Sequence, residues 1–341
     1  MSIVHHHLSA CPRAALRRVT HSYRGPMDIG MSLPTMARGF GRPTMAEWSR
    51  AIDAGPFSSI SCGERVTFHN PEIMVTLGAA AALTERVRVF ANLVVTPMHP
   101  PALVAKQVAT LQVLSDGRLT VGVGVGGREH DYRSMGVPFQ RRHERLDRDV
   151  AEIGRLLAGE AAFDGADPVG PPLAFTEPAS GEGLATGASP LHPWGVELLA
   201  GAMGPKGLAR AAKWADGVSG FCLGGSGEEV IRAADLARDA WERAGRERPP
   251  RLVSGCFYAL GVPEPRETLR GFTYDYLEVF GSEFARSMAD EAAMWDARRL
   301  RGLLDEAAAA GIDEFILVPA TVDPACLHAA TALVDSWRPA H

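Results

Sequence analysis

Paired cysteines and long apolar runs are missing from this 341-residue chain, and each absence excludes a class of protein. The five cysteines are odd in number and none has the Cys-x-x-Cys spacing, which argues against a disulfide framework and against a zinc site. No apolar stretch is long enough for a membrane-spanning helix. We therefore expect a reduced, cytoplasmic protein with no metal site and no membrane partner.

An excess of positive charge is also missing. The formal net charge is −5, and only Lys106, Lys206 and Lys213 are lysines. This balance argues against nucleic acid as the main partner and leaves a small-molecule substrate as the expected one. Hydrophobic residues make up 46% of the chain, enough for a sizeable core in one large domain or two smaller ones.

Two segments lack the pattern of folded elements. Residues 1–26 contain no Asp or Glu but several arginines and three consecutive histidines. An organelle transit peptide has this composition, but we interpret the segment as a disordered N-terminal extension before a single domain at 27–338. Residues 160–194 are rich in Pro, Gly, Ala and Ser and have no periodicity, which predicts an irregular insertion loop.

Elsewhere, strand-like and helix-like patterns alternate. Eight strand-like segments are each followed by a helical one, and alternating units of this kind predict a parallel sheet. Eight units predict an α/β fold of the (β/α)₈ TIM-barrel type, with the insertion after the fourth helix. The loops after the strands then form one mouth, where such barrels hold their chemistry. The predicted strands are 27–33, 57–61, 87–95, 119–125, 196–200, 216–221, 252–260 and 313–318.

The predicted fourth strand has glycines along one face. Val121, Val123 and Val125 share one face, while Gly122, Gly124 and Gly126 share the other, because side chains alternate along a strand. Strands rarely leave backbone bare in this way. Either a flat ligand lies against the glycine face, which is the interpretation we favour, or the strand packs tightly at its end or at a bulge.

The same glycines satisfy the dinucleotide-binding pattern G-x-G-x-x-G. In that fingerprint the first glycine ends a strand and the motif opens a helix, whereas here the glycines alternate within the strand. The acidic strand end expected about 20 residues later is also missing. An NAD-dependent Rossmann dehydrogenase is therefore the less favoured alternative.

A glycine-bearing loop joins the predicted fifth strand to its helix. It runs through Gly201, Ala202, Met203 and Gly204 and ends at Lys206 in the first turn. Free backbone N–H groups at a helix start, together with a lysine, can hold an anion such as a phosphate. We favour this phosphate site over an ordinary βα loop.

Four polar residues follow or interrupt the second and third predicted strands. Glu64 and Arg65 are either part of a site or an exposed ion pair of little energetic value. Asn92 is a polar residue inside an apolar strand, so it faces either a ligand in the barrel or a neighbouring backbone. His99 could exchange a proton near neutral pH, although a lone loop histidine is more often structural.

Arg128 and Tyr132 border the glycine strand and could contact an anionic or aromatic substrate, unless they only begin a solvated helix. The sequence contains no metal-binding cluster and no G-x-S-x-G nucleophile motif. The chemistry is therefore expected to come from a bound organic cofactor.

Three blocks of sequence, 101–126, 136–147 and 208–217, resemble the bacterial luciferase-like monooxygenase family, and the resemblance extends from about Met27 to Ser336. It implies a TIM barrel that binds FMN or the deazaflavin coenzyme F-420 with its ring in the mouth. It also implies a homodimer and, for an FMN enzyme, a flavin reductase as partner.

The resemblance also assigns roles to residues. Glu64 and Arg65 stand where deazaflavin-dependent members carry an acidic residue and a His, so Arg65 departs from the pattern. Ala91–Asn92 stands where a non-prolyl cis bulge backs the ring, and Gly201–Gly204 where the phosphate end is held. The 160–194 segment lacks the family's usual short proline-rich run, so the cover of the substrate site is not predicted.

The resulting hypothesis is an oxidoreductase in which a reduced flavin-type cofactor passes hydride or activated oxygen to a small organic substrate. Glu64 and His99 are the expected polarising residues. A barrel that binds the flavin without catalysis is the alternative. The expected cofactor contacts are Asn92, Gly122, Gly124, Gly126, Gly201, Ala202, Met203, Gly204 and Lys206, and the expected substrate contacts are Arg65, Arg128 and Tyr132.

Overall fold

Eight parallel strands close into one barrel in the order of the sequence. The computed structural model describes residues 26–170 and 196–337, so all but the last residue of the extension at 1–26 and most of the insertion at 160–194 lie outside the described residues. The strands are β1 Asp28–Ser32, β2 Ser59–Cys62, β3 Arg88–Val94, β4 Leu119–Gly124, β5 Glu197–Gly201, β6 Gly217–Ser219, β7 Arg251–Tyr258 and β8 Glu314–Pro319.

The closed parallel barrel confirms the predicted TIM-barrel fold, and it shows that the Rossmann alternative is wrong. The glycines of the apparent dinucleotide fingerprint lie within and just after β4, between β3 and β5. They do not lie at the junction between a strand and a phosphate-binding helix, which is where that fingerprint acts.

Helices surround the barrel, and several begin with proline in the first turn, where its missing N–H costs no hydrogen bond. Pro101, Pro205, Pro265 and Pro324 each stand at such a start. The helices are α1 Arg42–Ala54, α2 Ile73–Leu83, α3 Pro101–Leu114, α4 Glu129–Ser134, α5 Arg142–Leu157, α6 Pro205–Ala211, α7 Gly227–Arg243, α8 Pro265–Leu277, α9 Ser282–Glu291, α10 Ala297–Ala309 and α11 Pro324–Ser336. None of these helices is long and apolar enough to cross a membrane.

The region between β7 and β8 contains three α-helices, α8, α9 and α10. α8 and α9 pack against each other, and α10 packs against α7. The pair α8–α9 is thus an addition between β7 and the outer helix α10. Its residue Tyr276 contacts Arg65, which follows β2, and Arg128, which follows β4. The pair therefore lies over the mouth of the barrel.

A buried ionic network fills the opposite end of the barrel interior. The Glu314 carboxylate, at the start of β8, accepts from Arg88 at 2.7 Å and Arg251 at 2.5 Å, and from Ser58 and Ser59 at 2.6 Å. Burial raises its pKa, but the two arginine charges outweigh burial and lower the pKa to about 2. Among the described residues, this network therefore fills the barrel interior at its amino-terminal end with charged side chains that are already paired.

Candidate active site

Glu64 and His99, predicted separately, form one buried pair in the mouth. Glu64 follows β2, and its Oε1 lies 2.7 Å from Nε2 of His99, which follows the short 3₁₀ turn Thr96–Met98 after β3. The second oxygen, Oε2, accepts a hydrogen bond from the Val95 backbone N–H at 2.6 Å. The Glu64 side chain is only 5% exposed, which makes the pair a fixed part of the mouth rather than a surface contact.

The environment of His99 favours its protonated form. Burial acts to lower the pKa of His99, but the hydrogen bond and charge of Glu64, together with the charge of Glu72, raise it above its usual value. The other ring nitrogen, Nδ1, makes no hydrogen bond to any residue that the structure describes. The contact with Glu64 thus favours the imidazolium form of His99, in which Nδ1–H is a second hydrogen-bond donor.

Asn92 lies where β3 loses its regular register. The pairing of β3 with β4 shifts between Ala91 and Val94, and the peptide bond between Asn92 and Leu93 is cis, one bond later than the family resemblance implied. The Asn92 Oδ1 atom accepts a hydrogen bond from Ser219 Oγ at 2.8 Å. The amide therefore bridges β3 to β6 across the barrel.

The glycine face of β4 is not a bare surface for a ligand. It points into the barrel, but the side chain of Leu93 occupies the space beside it. A Cβ atom on Gly122 would lie 3.2 Å from Leu93 Cβ, and one on Gly124 would lie 3.0 Å from Leu93 Cδ1. A Cβ on Gly126 would meet Val95 at 2.8 Å. The favoured interpretation of these three glycines is therefore wrong, and the alternative of tight packing at a bulge is correct.

Gly201 serves the same packing function from β5, since a Cβ there would collide with Leu93 Cδ2. The next residues line a groove outside the end of β5, with a volume of about 600 Å³. Its lining includes Ala202, Met203, Gly204, Lys206, His143, Asp147 and Arg210. Arg210 forms an ion pair with Asp147, and Lys206 is exposed.

Arg65 and Arg128 approach the same aromatic ring from two loops. The Cζ atom of Arg65 lies 3.8 Å from the ring centroid of Phe68 and 5.5 Å from that of Tyr276. The Cζ atom of Arg128 lies 4.7 Å from the Tyr276 centroid and 5.0 Å from that of Phe280. The structure thus brings together two of the three predicted substrate contacts.

Tyr132, the third predicted substrate contact, is instead a packing residue. It is 1% exposed, lies beside Val95 and Met98, and donates its hydroxyl hydrogen to the Val125 carbonyl at 2.6 Å. Burial raises the pKa of this hydroxyl to about 12. Its function is to hold the start of α4 against the end of β4, because both its ring and its hydroxyl are already occupied.

Sequence reasoning missed several residues of the mouth. Asp131 accepts hydrogen bonds from the backbone N–H and the hydroxyl of Thr67, which joins the loops after β2 and β4. Tyr276 and Phe280 come from the α8–α9 addition, more than 200 residues from Arg65. No spacing in the sequence indicates contacts over such separations. Within the described residues, no group of three or more His, Cys, Asp or Glu side chains could hold a metal ion.

Known proteins are similar to this chain in sequence or in fold. An uncharacterised protein of Mycobacterium tuberculosis is 32% identical over 224 residues, which are 64% of this chain and 72% of that protein. The solved structure of a coenzyme F-420-dependent secondary alcohol dehydrogenase, in complex with an adduct of the coenzyme and acetone, superposes with a TM-score of 0.68 at 17% identity. The alignment covers 91% of this chain and 98% of that one.

A second solved structure is the oxygenating constituent of 3,6-diketocamphane monooxygenase from Pseudomonas putida, in complex with FMN. It superposes with a TM-score of 0.64 at 13% identity and covers 91% of this chain and 97% of its own. At these identities the two structures establish the fold. The profile of the luciferase-like monooxygenases matches residues 27–317. The chain therefore belongs to the luciferase-like monooxygenase family.

Proposed function

We propose that this chain is an oxidoreductase that binds reduced FMN or coenzyme F-420 in the barrel mouth and transfers hydride or activated oxygen to a small organic substrate. The observation that carries the proposal is the buried Glu64–His99 pair, with its 2.7 Å hydrogen bond, at the carboxyl ends of β2 and β3. Family membership supports the same reaction class. Such a reaction needs protein side chains that can transfer a proton at the working pH of the enzyme.

The residues around the mouth fit a flavin-type cofactor. Both cofactors carry a ring and a phosphate-bearing tail. The groove beside Gly204 and Lys206 has room for an anion, because a Cβ on Gly204 would meet no atom within 4 Å. Lys206 would attract the tail, while Asn92 and Leu93 at the β3 bulge would form the floor below the ring. Gly122, Gly124 and Gly126 would act indirectly, by making space for Leu93 and Val95.

When bound, the cofactor would supply the electrons, either for direct reduction or for activation of oxygen. The residues of this chain would donate a proton and would shield the site from water. Glu64 would orient the His99 ring and stabilise its protonated form, so that Nδ1–H could donate to a developing negative charge on the substrate. The α8–α9 pair would limit the access of water to the mouth.

Cofactor binding is the direct test. The protein should be titrated anaerobically with reduced FMN and with reduced coenzyme F-420, and we expect one of them to bind with a dissociation constant of about 1 μM or lower. If neither binds, the proposed function is wrong. If one binds but no substrate in a broad panel is consumed, the non-catalytic alternative is correct. The homodimer, the flavin reductase partner and the cytoplasmic location stay proposals, and light scattering would test the first.

A further inference from the structure

Two positive charges meet over one ring in the mouth. Arg65, after β2, and Arg128, after β4, both lie within 5.5 Å of the Tyr276 ring centroid. Arg65 is 6% exposed, so its charge is largely removed from water. Burial and the nearby charge of Arg128 lower the pKa of Arg65 to about 10. Such an arrangement is unfavourable unless a negative charge is added.

The described residues do not supply that negative charge. No carboxylate among them lies within ion-pair distance of Arg65 or Arg128, and the buried Nε atoms of both arginines have no hydrogen-bond partner. Asp131 acts on Arg65 only at longer range, and its Oδ1 is already bonded twice to Thr67. Arg65 donates one hydrogen bond, to the Tyr276 carbonyl at 3.3 Å. The two guanidinium groups therefore keep donors available.

The charged pair is separate from the groove proposed for the cofactor tail. The groove is lined by residues from β4, α5, β5 and α6, and it includes neither arginine nor Tyr276. The pair lies instead under the α8–α9 addition, beside Phe280, whose side chain is 45% exposed. Its position is thus on the substrate side of the mouth rather than on the tail side.

We propose that Arg65 and Arg128 bind the carboxylate group of the substrate, which makes the substrate a small organic acid with a planar or apolar body. This inference rests on the proposed function. A guanidinium group binds a carboxylate through two parallel hydrogen bonds, and two such groups would give an acid a strong preference over its neutral analogue. The rings of Phe68, Tyr276 and Phe280 hold the guanidinium planes and offer apolar surface to the body of the acid.

Benzoate is a suitable probe, with benzamide as its neutral counterpart of the same shape. Calorimetric titration of the wild-type protein at low ionic strength should show benzoate binding at least about tenfold more tightly than benzamide. Arg65→Met and Arg128→Met should each weaken benzoate binding by about tenfold or more, with Arg128→Lys intermediate. Arg133→Met is the matched control, because Arg133 is an exposed arginine on α4, and it should change the affinity less than about twofold.

A second measurement uses only the wild-type protein and so does not depend on the folding of a variant. Benzoate should slow the modification of Arg128 by phenylglyoxal, read by mass spectrometry, and should leave the rate at Arg133 unchanged. Phenyl phosphate, tested in parallel, distinguishes a carboxylate site from a phosphate site, and tighter binding of phenyl phosphate would overturn the assignment of a carboxylate.

Three further outcomes would overturn the inference. The first is equal binding of benzoate and benzamide, and the second is an unchanged benzoate affinity in both methionine variants. The third is that the methionine variants bind the cofactor more weakly but bind benzoate as the wild type does, which would assign the arginines to the cofactor. Failure of the proposed function is a distinct result, since it is read from the cofactor titration of the wild-type protein. Discrimination between benzoate and benzamide can hold or fail independently of that titration.

Discussion

Glu64 holds His99 through a 2.7 Å hydrogen bond between Oε1 and Nε2, while its other oxygen is fixed by the backbone N–H of Val95. This contact links the loop after β2 to the loop after β3. It also couples a carboxylate to an imidazole in a largely buried place, where charge-assisted hydrogen bonds are stronger than at a surface. The strength of the contact must therefore depend on the protonation of His99.

We expect the Glu64–His99 coupling to stabilise the fold more at low pH than at high pH. The pKa of His99 is raised in the folded protein. The contribution of the Glu64–His99 contact to the free energy of unfolding is therefore fully present below the unfolded pKa of about 6.5, and it is lost as the pH rises through the folded pKa. A double-mutant cycle with Glu64→Gln and His99→Gln, measured by urea unfolding, should give about 1.5–3 kcal/mol near pH 5.5 and less near pH 9. A coupling energy that does not change with pH would mean that His99 is neutral in this contact.

The Gly201–Leu93 contact should be sensitive to a single methyl group. Gly201→Ala places a Cβ against Leu93 Cδ2, and Leu93 cannot easily move, because Gly122 and Gly124 also enclose it. We expect a loss of about 1–3 kcal/mol in the free energy of unfolding, as is usual for overpacking. Adding Leu93→Ala should remove most of this penalty in a double-mutant cycle. Gly271→Ala is the control, since no atom lies within 4 Å of its Cβ, and it should be neutral or slightly stabilising.

The glycines of β4 and β5 show which features of the site could be predicted from the sequence and which could not. Alternation of Val and Gly predicted β4 and its two faces, and the βα pattern predicted the barrel, because both are local features. The sequence could not predict that Leu93 packs against the glycine face, because its side chain reaches that face only through the irregular register of β3. Likewise, Glu64 and His99 were identified by their position after strands, but their contact spans 35 residues and depends on the closed barrel.

Glu314→Gln should destabilise the protein strongly at neutral pH. The substitution keeps the size of the side chain but removes the more deeply buried of the two carboxylates that Arg88 and Arg251 share, the other being Glu197. We expect a loss of about 3–5 kcal/mol by urea unfolding. The folded pKa is lowered to about 2, so this stabilisation is present above the unfolded value of about 4.5 and is lost as the pH falls toward 2. Asp235→Asn, at an exposed ion pair with Arg238, should cost under about 1 kcal/mol.

The four cysteines within the described residues should resist alkylation in the native protein. Cys62, Cys222, Cys256 and Cys326 are all buried. Burial raises the pKa of Cys222 to about 12 and that of Cys326 to about 11. Because the thiolate is the reactive form, labelling by iodoacetamide should be at least about a hundredfold slower than in urea. Mass spectrometry resolves each cysteine, and rapid native labelling of any of the four would show that its surroundings open easily.

Lys206 should contribute to cofactor affinity, whereas Lys213 should not. Both are exposed lysines near α6, but only Lys206 lines the groove beside Gly204. If the groove holds the phosphate end of the cofactor, Lys206→Met should raise the dissociation constant by about fivefold at low ionic strength. The effect should shrink as salt is added, because an exposed charge is screened. Lys213→Met should bind like the wild type at every salt concentration. Equal behaviour of the two variants would place the phosphate elsewhere and leave Lys206 as a solvated residue at the start of α6.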